Sequence, residues 1–378
     1  MAESTRLVDL VQSGIDAFLD DRHPILAEIA PDLAPFIDYS RDLLKGGKRF
    51  RALFCYWGWQ AVSGGTTGFD PSAFDGDGSE RTSDDLAAVV LAASALEIFH
   101  AAALVHDDIM DNSDTRRGRP AAHKRFEKLH SDGRWNGSAR GFGQSSALLL
   151  GDLLLGWSDE LFDSGIHRLP SQSARLDSRR EFNLMRTEVT VGQYLDILEE
   201  QAWQSFPEAG QLSRAERVIV YKSAKYSIEA PLAIGAALGD GSAEQVRALR
   251  DFGLPLGIAF QLRDDILGVF GDPEMTGKPS GDDLREGKRT VLIALARTML
   301  TPNATRLLDE LLGDPELSAQ QVLMLQTSIR GCGAVDEVER IIEQNVRTAL
   351  AAIAAAPISS AAKTQLAALA ETVAKRSA

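Results

Sequence analysis

Hydrophobic positions recur every three to four residues from residue 5 almost to the end of the chain. This spacing lines one face of an α-helix with apolar side chains. No β-rich segment bounded by paired turn signals interrupts the pattern. We therefore predict an all-α protein. The predicted helices are 5–19, 24–44, 47–63, 84–112, 120–129, 143–164, 174–204, 214–239, 242–270, 287–300, 302–312, 318–329, 333–354 and 359–376.

Two stretches break the helical periodicity. Residues 64–83 are rich in Gly, Asp, Ser and Thr, which predicts a surface loop or a flexible insertion. Residues 130–143 predict a second loop. Neither stretch separates two halves of different composition, so residues 1–378 are predicted to form a single large helical domain.

Composition and charge restrict the function. The 378 residues are 44% hydrophobic and carry a net charge of −14, which argues against general nucleic-acid binding. Any phosphate ligand must then be held by local basic clusters and bridging cations. Cys55 and Cys332 give neither a disulfide framework nor a zinc spacing. Because Asp9 and Asp16 interrupt any apolar run near the N-terminus, no signal peptide is expected and a cytoplasmic location is predicted.

The stretch from Leu86 to Val105 is long and apolar enough to resemble a membrane span. However, it contains Glu97 and His100 and continues directly into Asp107. Polar groups of this kind are costly in lipid. We therefore predict a buried core helix that enters a polar site, and no transmembrane segment.

The first acidic motif reads His-Asp-Asp-Ile-Met-Asp at residues 106–111. Asp107 and Asp111 are four residues apart, which places both carboxylates on one face of a helix. Two carboxylates together with a phosphate ligand suit Mg²⁺. Arg116 and Arg117 follow closely and can hold phosphate oxygens. The combination indicates chemistry on a diphosphate.

A second acidic motif follows another apolar helical run. Gln261, Asp264 and Gly268 share one helical face because they are spaced by three and four residues. Asp264 can supply a further metal ligand that faces Asp107 across a bundle. Taken alone, an acidic pair on a helix commonly lies on a solvated face. Here each motif ends a strongly apolar helix, which argues against that alternative.

Basic residues form further clusters. Lys48 and Arg51 lie at a predicted helix start, whose free N–H groups also attract anions. Lys225 lies within a predicted helix. Lys278 and Lys288 belong to a Gly- and Pro-containing loop of a kind that can close over a site. Each cluster alone is also compatible with an ordinary solvated surface.

Taken together and in this order, the motifs resemble those of the trans-polyprenyl diphosphate synthases, the enzymes that elongate isoprenoid chains head to tail. The resemblance extends from about residue 20 to 350. Its markers are Gly-Gly-Lys-x-x-Arg at 46–51, His100, Asp-Asp-x-x-Asp at 107–111, Arg116-Arg117, Gly192-Gln193 with Asp196, Lys225, residues 261–265 and Lys278. It implies a helical bundle around a central apolar cavity and a homodimer.

The resemblance also implies roles for individual residues. Isopentenyl diphosphate would be bound by Lys48, Arg51, His100 and Arg117. Magnesium, three ions with substrate bound, would be held by Asp107, Asp111 and Asp264. The allylic substrate, which is dimethylallyl, geranyl or farnesyl diphosphate, would be bound by Arg116, Lys225, Gln261 and Lys278. Lys288 is a further predicted substrate-binding residue. The catalytic residues would be Asp107, Asp111, Lys225, Gln261 and Asp264.

Two positions depart from the commoner family pattern. Gly268 stands where the second motif usually has its last aspartate, so one outer contact to metal or water is missing. Tyr226 follows Lys225, where a threonine is frequent. Both changes affect the expected geometry of the allylic site but remove no main ligand.

The helix before Asp107 predicts the product length. Ala102 and Ala103 lie five and four residues before Asp107, and their small side chains cannot close an apolar tunnel there. Phe99 lies two turns below Asp107, roughly 12 Å along the axis, and is the candidate floor. This pattern favours a C20 product, geranylgeranyl diphosphate, with C25 or longer as the alternative.

Two other functions share parts of this sequence pattern. A class I terpene cyclase shares the helical architecture and an acidic motif but needs no second diphosphate site, so Lys48 and Arg51 argue against it. A non-catalytic regulatory subunit of a heteromeric prenyl synthase would be expected to lose one acidic motif. Both motifs are present here, apart from the change at Gly268.

Overall fold

Helices account for almost all of the regular structure, as the sequence pattern predicts. The computed structural model describes residues 2–63, 80–273 and 279–374. Two compact units can be distinguished: Met1–Arg179 with Ile234–Gly241, and Arg180–Ala233 with Ser242–Ala378. The first unit contains the acidic motif at 107–111 and the second contains residues 261–265. The single-domain organisation stays a prediction.

The elements of the first unit are α1 (Ala2–Ile29), α2 (Ala34–Leu43), α3 (Phe50–Val62), α4 (Glu80–Met110), the antiparallel strands β1 (Thr115–Arg116) and β2 (Arg119–Pro120), α5 (Ala122–Asp132) and α6 (Ala139–Ile166). The chain passes into the second unit within α7 (Gln172–Ala202). There follow α8 (Gln211–Val218), a π-helix (Ile219–Glu229) and α9 (Ala230–Leu238), which returns to the first unit. The second unit continues with α10 (Ala243–Phe270), α11 (Asp282–Glu286), α12 (Val291–Met299), α13 (Pro302–Leu311), α14 (Ala319–Gly331), α15 (Ala334–Ala355) and α16 (Ser360–Ala374).

Helix α4 forms the centre of the first unit and packs closely against α6. A Cβ atom on Gly165 would lie 2.9 Å from the carbonyl oxygen of Ala88. A Cβ atom on Gly151 would lie 2.2 Å from Nε2 of His106. Two glycines of α6 therefore permit the helices to approach each other, because no side chain separates them there.

One helix in the described part of the chain is long and apolar enough to cross a membrane, the segment Asp84–Met110 of α4. However, 78% of its most apolar window is buried inside the protein. Burial within the fold explains the composition of this helix, as predicted for a core helix.

Helix α10 is the corresponding central helix of the second unit. It begins with a capping box, in which Ser242 Oγ accepts from the N–H of Gln245 and Gln245 Oε1 accepts from the N–H of Ser242. Leu262, Ile266 and Val269 are buried in the core of this unit. A Cβ atom on Gly257 would lie 2.4 Å from the carbonyl oxygen of Ala224, so the π-helix packs directly onto α10.

Some predicted boundaries are wrong. Helix α1 continues through Pro24 to Ile29, and a 3₁₀ turn separates it from α2, where the sequence predicted one helix over 24–44. The π-helix interrupts the helix predicted over 214–239. The two short strands and α11 were not predicted, because two- to five-residue elements carry no readable periodicity.

The predicted loops are shorter than expected. Helix α4 begins at Glu80, so residues 80–83 are helical, while 64–79 lie outside the described residues. The loop predicted over 130–143 is confined to 133–138 between α5 and α6. Ser138 ends this loop by capping α6, since its hydroxyl accepts from the N–H of Gly141.

Candidate active-site residues

The loop before α3 has a left-handed backbone that brings it next to Arg117. Gly46, Gly47 and Arg49 have φ angles of 74°, 92° and 50°. A Cβ atom on Gly47 would lie 3.5 Å from both Nη atoms of Arg117. The Arg117 guanidinium therefore lies against the glycine backbone. The structure brings Arg117 to the loop that carries the exposed Lys48, as expected for residues predicted to share a substrate.

A buried ion pair between Arg49 and Glu97 fixes this loop. Arg49 is 5% exposed and Glu97 is 6% exposed, with 3.3 Å between Nη1 and Oε2. Arg49 Nη2 also donates to Gln12 Oε1 at 2.6 Å. Glu97 Oε1 accepts from the N–H of Ala52 in the first turn of α3. Sequence reasoning missed this pair, although a carboxylate inside the apolar stretch of α4 was the available signal.

His100 lies in a strongly cationic environment. Burial lowers its pKa well below the usual value, and the neighbouring charges of Arg51, Arg117 and Arg116 lower it further. Asp107 acts weakly in the opposite direction. The imidazole is therefore neutral at neutral pH, so one ring nitrogen accepts hydrogen bonds and the other donates them. His100, Arg51 and Arg117 thus share one neighbourhood, which is suited to an anion.

The short hairpin turns Arg116 back onto the first acidic motif. Its two turn residues, Arg117 and Gly118, have φ angles of 53° and 70°, as a tight two-residue hairpin requires. Arg116 Nε donates to Asp108 Oδ1 at 2.8 Å, and Nη2 donates to Asp107 Oδ2 at 3.1 Å. The sequence predicted that Arg116 would face a diphosphate, but it did not predict the role of Asp108, which is 1% exposed.

The remaining predicted residues of the first unit lie on or just beyond α4. The N–H of Asp111 donates to the carbonyl of Asp107 at 2.8 Å, so the helical turn that relates these aspartates is formed. Phe99 and Ala102 are buried, and Ala103 is partly exposed. The effect of these three positions on product length stays a prediction.

In the second unit, Gln261 holds a buried aspartate. Its Nε2 donates to Oδ1 of Asp265 at 2.8 Å. Asp265 is 4% exposed. Burial raises the pKa of this carboxyl well above its usual value, the Gln261 hydrogen bond opposes that effect, and the charges of Asp283 and Asp264 add to it. The assignment of Gln261 to the allylic substrate stays a prediction, and the structure adds the contact of its amide with Asp265.

The predicted lysines of the second unit contact carboxylates. Lys225, on the π-helix, pairs with Glu188 of α7. Lys288 Nζ lies 3.4 Å from Glu286 Oε2 and 3.8 Å from Asp196 Oδ2. Lys278 lies outside the described residues. Irregular helices are frequent at functional sites, which agrees with the position of Lys225.

The carboxylates of the two acidic motifs are the candidate ligands of the predicted Mg²⁺ ions. In the ranges that the structure describes, no group of three or more His, Cys, Asp or Glu side chains is arranged to hold a metal ion. Mg²⁺ is usually bound by one or two carboxylates and completed by water and phosphate oxygens. The donor set fits this pattern, because it is purely oxygen and because Asp265 Oδ2 is buried without a hydrogen-bond partner.

The polyprenyl synthetase family matches residues 35–327 of this chain. The short chain isoprenyl diphosphate synthase of Methanothermobacter thermautotrophicus is 30% identical over 82% of this chain and 85% of its own length. The enzyme of the same name from Methanocaldococcus jannaschii is 30% identical over 63% of this chain. That match spans 65% of the relative, just under two thirds of its length.

Solved structures agree with the sequence comparison. A crystal structure of geranylgeranyl pyrophosphate synthase from Corynebacterium glutamicum, complexed with isoprenyl diphosphate and magnesium, is similar with a TM-score of 0.87 and 36% identity. The similarity covers 98% of this chain and 99% of that one. These findings confirm the all-α isoprenoid synthase-like fold, the resemblance inferred from the motifs and the predicted enzyme class. The chain therefore belongs to the polyprenyl synthetase family.

Proposed function

We propose that the protein is a prenyltransferase that condenses isopentenyl diphosphate with an allylic diphosphate, head to tail, in the presence of Mg²⁺. The observation that carries this proposal is the cationic neighbourhood of His100, Arg51 and Arg117. Arg117 of this neighbourhood lies against the Gly47 backbone, whereas Arg116 contacts the carboxylates of Asp107 and Asp108. Transfer between two diphosphates needs two anion sites of this kind, whereas a terpene cyclase needs one.

Isopentenyl diphosphate is assigned to the cationic neighbourhood of His100, Arg51 and Arg117. Arg51 and Arg117 are suited to bidentate contacts with phosphate oxygens. Lys48 is exposed and adds a point charge. Neutral His100 can donate one hydrogen bond to the same anion without adding to the repulsion between the arginines.

The allylic diphosphate is assigned to the acidic motifs and their cations. Asp107, Asp111 and Asp264 are the proposed metal ligands, and three ions are proposed with substrate bound. When bound, Mg²⁺ stabilises the negative charge on the departing diphosphate. Arg116, Lys225, Lys278 and Lys288 add positive charge to the same group, which favours cleavage of the allylic C–O bond. Gln261, through its contact with Asp265, orients the second motif.

The reaction then follows from position and charge. The double bond of isopentenyl diphosphate attacks the allylic carbon, and the released diphosphate accepts the proton that is lost. Holding two substrates in line and away from water contributes much of the rate enhancement. The product is five carbons longer than the allylic substrate.

A C20 product is the most specific proposal. Buried Ala102 and partly exposed Ala103 leave room one turn before Asp107, and buried Phe99 lies a further turn away. The similar C. glutamicum enzyme is named a geranylgeranyl pyrophosphate synthase, which supports the same length. Dimethylallyl, geranyl and farnesyl diphosphates are the proposed allylic substrates.

A cytoplasmic homodimer is proposed as well. Leu184, Val191 and Tyr194 of α7 are 42%, 50% and 62% exposed and recur at spacings of seven and three residues. This spacing places them along one helical face, and an exposed apolar face of this kind is typical of subunit contacts. Light scattering of the purified protein measures the oligomeric state directly, and a monomer at micromolar concentration would contradict the proposal.

One assay tests the reaction. The purified protein is incubated with isopentenyl diphosphate, each allylic diphosphate in turn and Mg²⁺, and the product alcohols are separated by chromatography after dephosphorylation. We expect geranylgeraniol, and no product without Mg²⁺. Diphosphate release from the allylic substrate alone, with a cyclic hydrocarbon product, would instead identify a terpene cyclase. No turnover with any allylic substrate would support the regulatory-subunit alternative.

A further inference from the structure

The missing side chain of Gly268 leaves a space that another residue fills. A Cβ atom built on Gly268 would lie 1.9 Å from Oδ2, 2.3 Å from Cγ and 2.6 Å from Oδ1 of Asp283. These distances are far below any permitted contact, so the Asp283 carboxylate occupies the volume in which a side chain at position 268 would begin. Gly268 lies four residues after Asp264, on the same face of α10.

The fold holds Asp283 in this place. It lies on α11, which follows Gly281 in a left-handed conformation with φ of 72°. The carbonyl of Asp283 accepts hydrogen bonds from the N–H groups of Gly287 and Lys288, both at 3.1 Å. The next residue, Leu284, is completely buried in the core of the second unit. Asp283 is therefore anchored through its backbone and its neighbour.

A second observation concerns Asp265, a buried carboxyl on which the charge of Asp283 acts. Asp265 is 4% exposed, and its Oδ2 atom has no hydrogen-bond partner. Its Oδ1 atom is held by Gln261. Asp283 and Asp264 are among the charges that act on this carboxyl. A buried carboxylate oxygen without a partner is costly unless a cation or a donor completes it.

We propose that Asp283 supplies, from α11, the carboxylate that the second acidic motif lacks at Gly268, and that it helps to hold Mg²⁺ and its water at Asp264. This inference rests on the proposed function, since it assumes a magnesium–diphosphate ligand at the second motif. The acidic motif is then completed in space by a residue fifteen positions further along the chain.

A side chain at position 268 and the Asp283 carboxylate in its present place are mutually exclusive. A side chain at 268 displaces the Asp283 carboxylate, because both would occupy the same volume. If the carboxylate itself is what matters, it can be moved from one position to the other. Gly268→Asp should therefore be harmful alone and beneficial when Asp283 is shortened.

The test is a four-variant exchange: Asp283→Ala, Asp283→Asn, Gly268→Asp, and Gly268→Asp combined with Asp283→Ala. Asp282→Ala, which changes the neighbouring aspartate, is the matched control. The readout is the rise in melting temperature as Mg²⁺ is added at a fixed concentration of inorganic pyrophosphate, because a ligand of the folded state stabilises it by mass action. Melting in metal-free buffer verifies that each variant folds.

We expect Asp283→Ala and Asp283→Asn to raise the Mg²⁺ concentration at half-maximal shift by about ten- to one-hundredfold, as is usual when a partner of a metal ligand is removed. The double variant should regain most of this loss, and Asp282→Ala should titrate like the unchanged protein. A normal titration by both Asp283 variants, or a double variant no better than Asp283→Ala, would overturn the proposal. Turnover in the prenyl-transfer assay is measured separately, so an active enzyme with an ineffective exchange refutes this inference and leaves the proposed function standing.

Discussion

The two acidic motifs have similar sequences but are stabilised in different ways. In the first unit, Asp107 and Asp108 both contact Arg116, a cation eight or nine residues further along the chain. In the second unit, the buried Asp265 is held by the neutral amide of Gln261. Its pKa is raised by burial and by the nearby carboxylates of Asp283 and Asp264.

This difference has a physical consequence. The first motif carries its own countercharge, so its geometry is fixed by the hairpin that positions Arg116. The second motif gathers like charges with less local compensation at Asp265, an arrangement that is completed by a cation. We therefore expect substitutions in the first motif to affect the fold and the reaction together, and those in the second to affect mainly the response to metal.

The largest expected effect is that of Asp107→Ala. It should lower kcat by about a thousandfold or more, because about 4 kcal/mol of transition-state stabilisation is lost with a metal ligand. Asp264→Ala should also be severely impaired, but part of its activity should return at high Mg²⁺. Asp114→Ala, in the exposed segment after the first motif, is the control and should keep its activity. Near-normal turnover of Asp107→Ala at saturating Mg²⁺ would refute the metal assignment.

The next largest expected effect is a difference in the free energy of unfolding between variants of the two motifs. Arg116→Gln leaves Asp108, which is 1% exposed, without its charged partner. We expect a loss of about 2–4 kcal/mol, at the lower end of values for broken buried pairs because Arg116 keeps some exposure. Gln261→Leu should lose about 1–2 kcal/mol, since the donor it removes from the buried Asp265 is an uncharged amide. Urea denaturation without ligand measures both, and equal losses would contradict the comparison.

A substitution in α4 should change the rate less but should clearly change the chain length of the product. Ala103→Phe should shorten the product, because a phenyl ring one turn before Asp107 blocks the growing chain there. The prenyl alcohols are analysed by chromatography after dephosphorylation. Ala103→Ser, a substitution of similar size at the same position, should leave the length unchanged. An unaltered C20 product from Ala103→Phe would refute the role given to this helix.

The smallest expected effect is a pH dependence that comes from His100. Its pKa is lowered in the folded protein relative to the unfolded value of about 6.5. As the pH falls below about 6.5, the unfolded chain binds a proton at this histidine and the folded protein does not. This contribution to the free energy of unfolding is therefore present above that pH and is lost below it.

The matching measurement is urea denaturation between pH 7.5 and 5.5. His100→Gln should lose less stability than the unchanged protein over this range, and His167→Gln, at an exposed position, serves as the control. Isopentenyl diphosphate should raise the His100 pKa, which NMR titration of the imidazole follows directly. Identical stability profiles for the His100→Gln variant and the unchanged protein would contradict the environment assigned to this histidine.

The local pattern of apolar and capping residues predicted much of the fold. The helices 242–270, 302–312 and 333–354 were predicted within a residue or two of their ends, because each has a sustained apolar period and a capping or breaking residue at its boundary. The β1–β2 hairpin and α11 escaped prediction since they depend on single left-handed residues such as Gly118 and Gly281. Such elements have no period to detect.

The candidate site residues likewise divide into those that local spacing predicts and those that only the packing of distant segments brings together. Spacing predicted Asp107, Asp111 and Asp264 as metal ligands, because carboxylates at helical spacing at the ends of apolar helices suit a magnesium–diphosphate site. Spacing could not identify the pair of Arg49 and Glu97, which are 48 residues apart. The apolar stretch around Glu97 signals that this carboxylate needs a partner, but it does not specify Arg49, because their contact depends on how the start of α3 packs against α4.

By itself, the sequence determined the all-α class, the family and the kind of chemistry, since periodicity and ordered motifs are local properties of the chain. Only the tertiary structure decided which charges compensate which. It directs Arg116 onto Asp108 and Arg117 onto Gly47, although the two arginines are adjacent. It also fills the space at Gly268 with the carboxylate of Asp283. The physical reason is that burial and close packing, which set these electrostatic partners, arise only when distant segments meet.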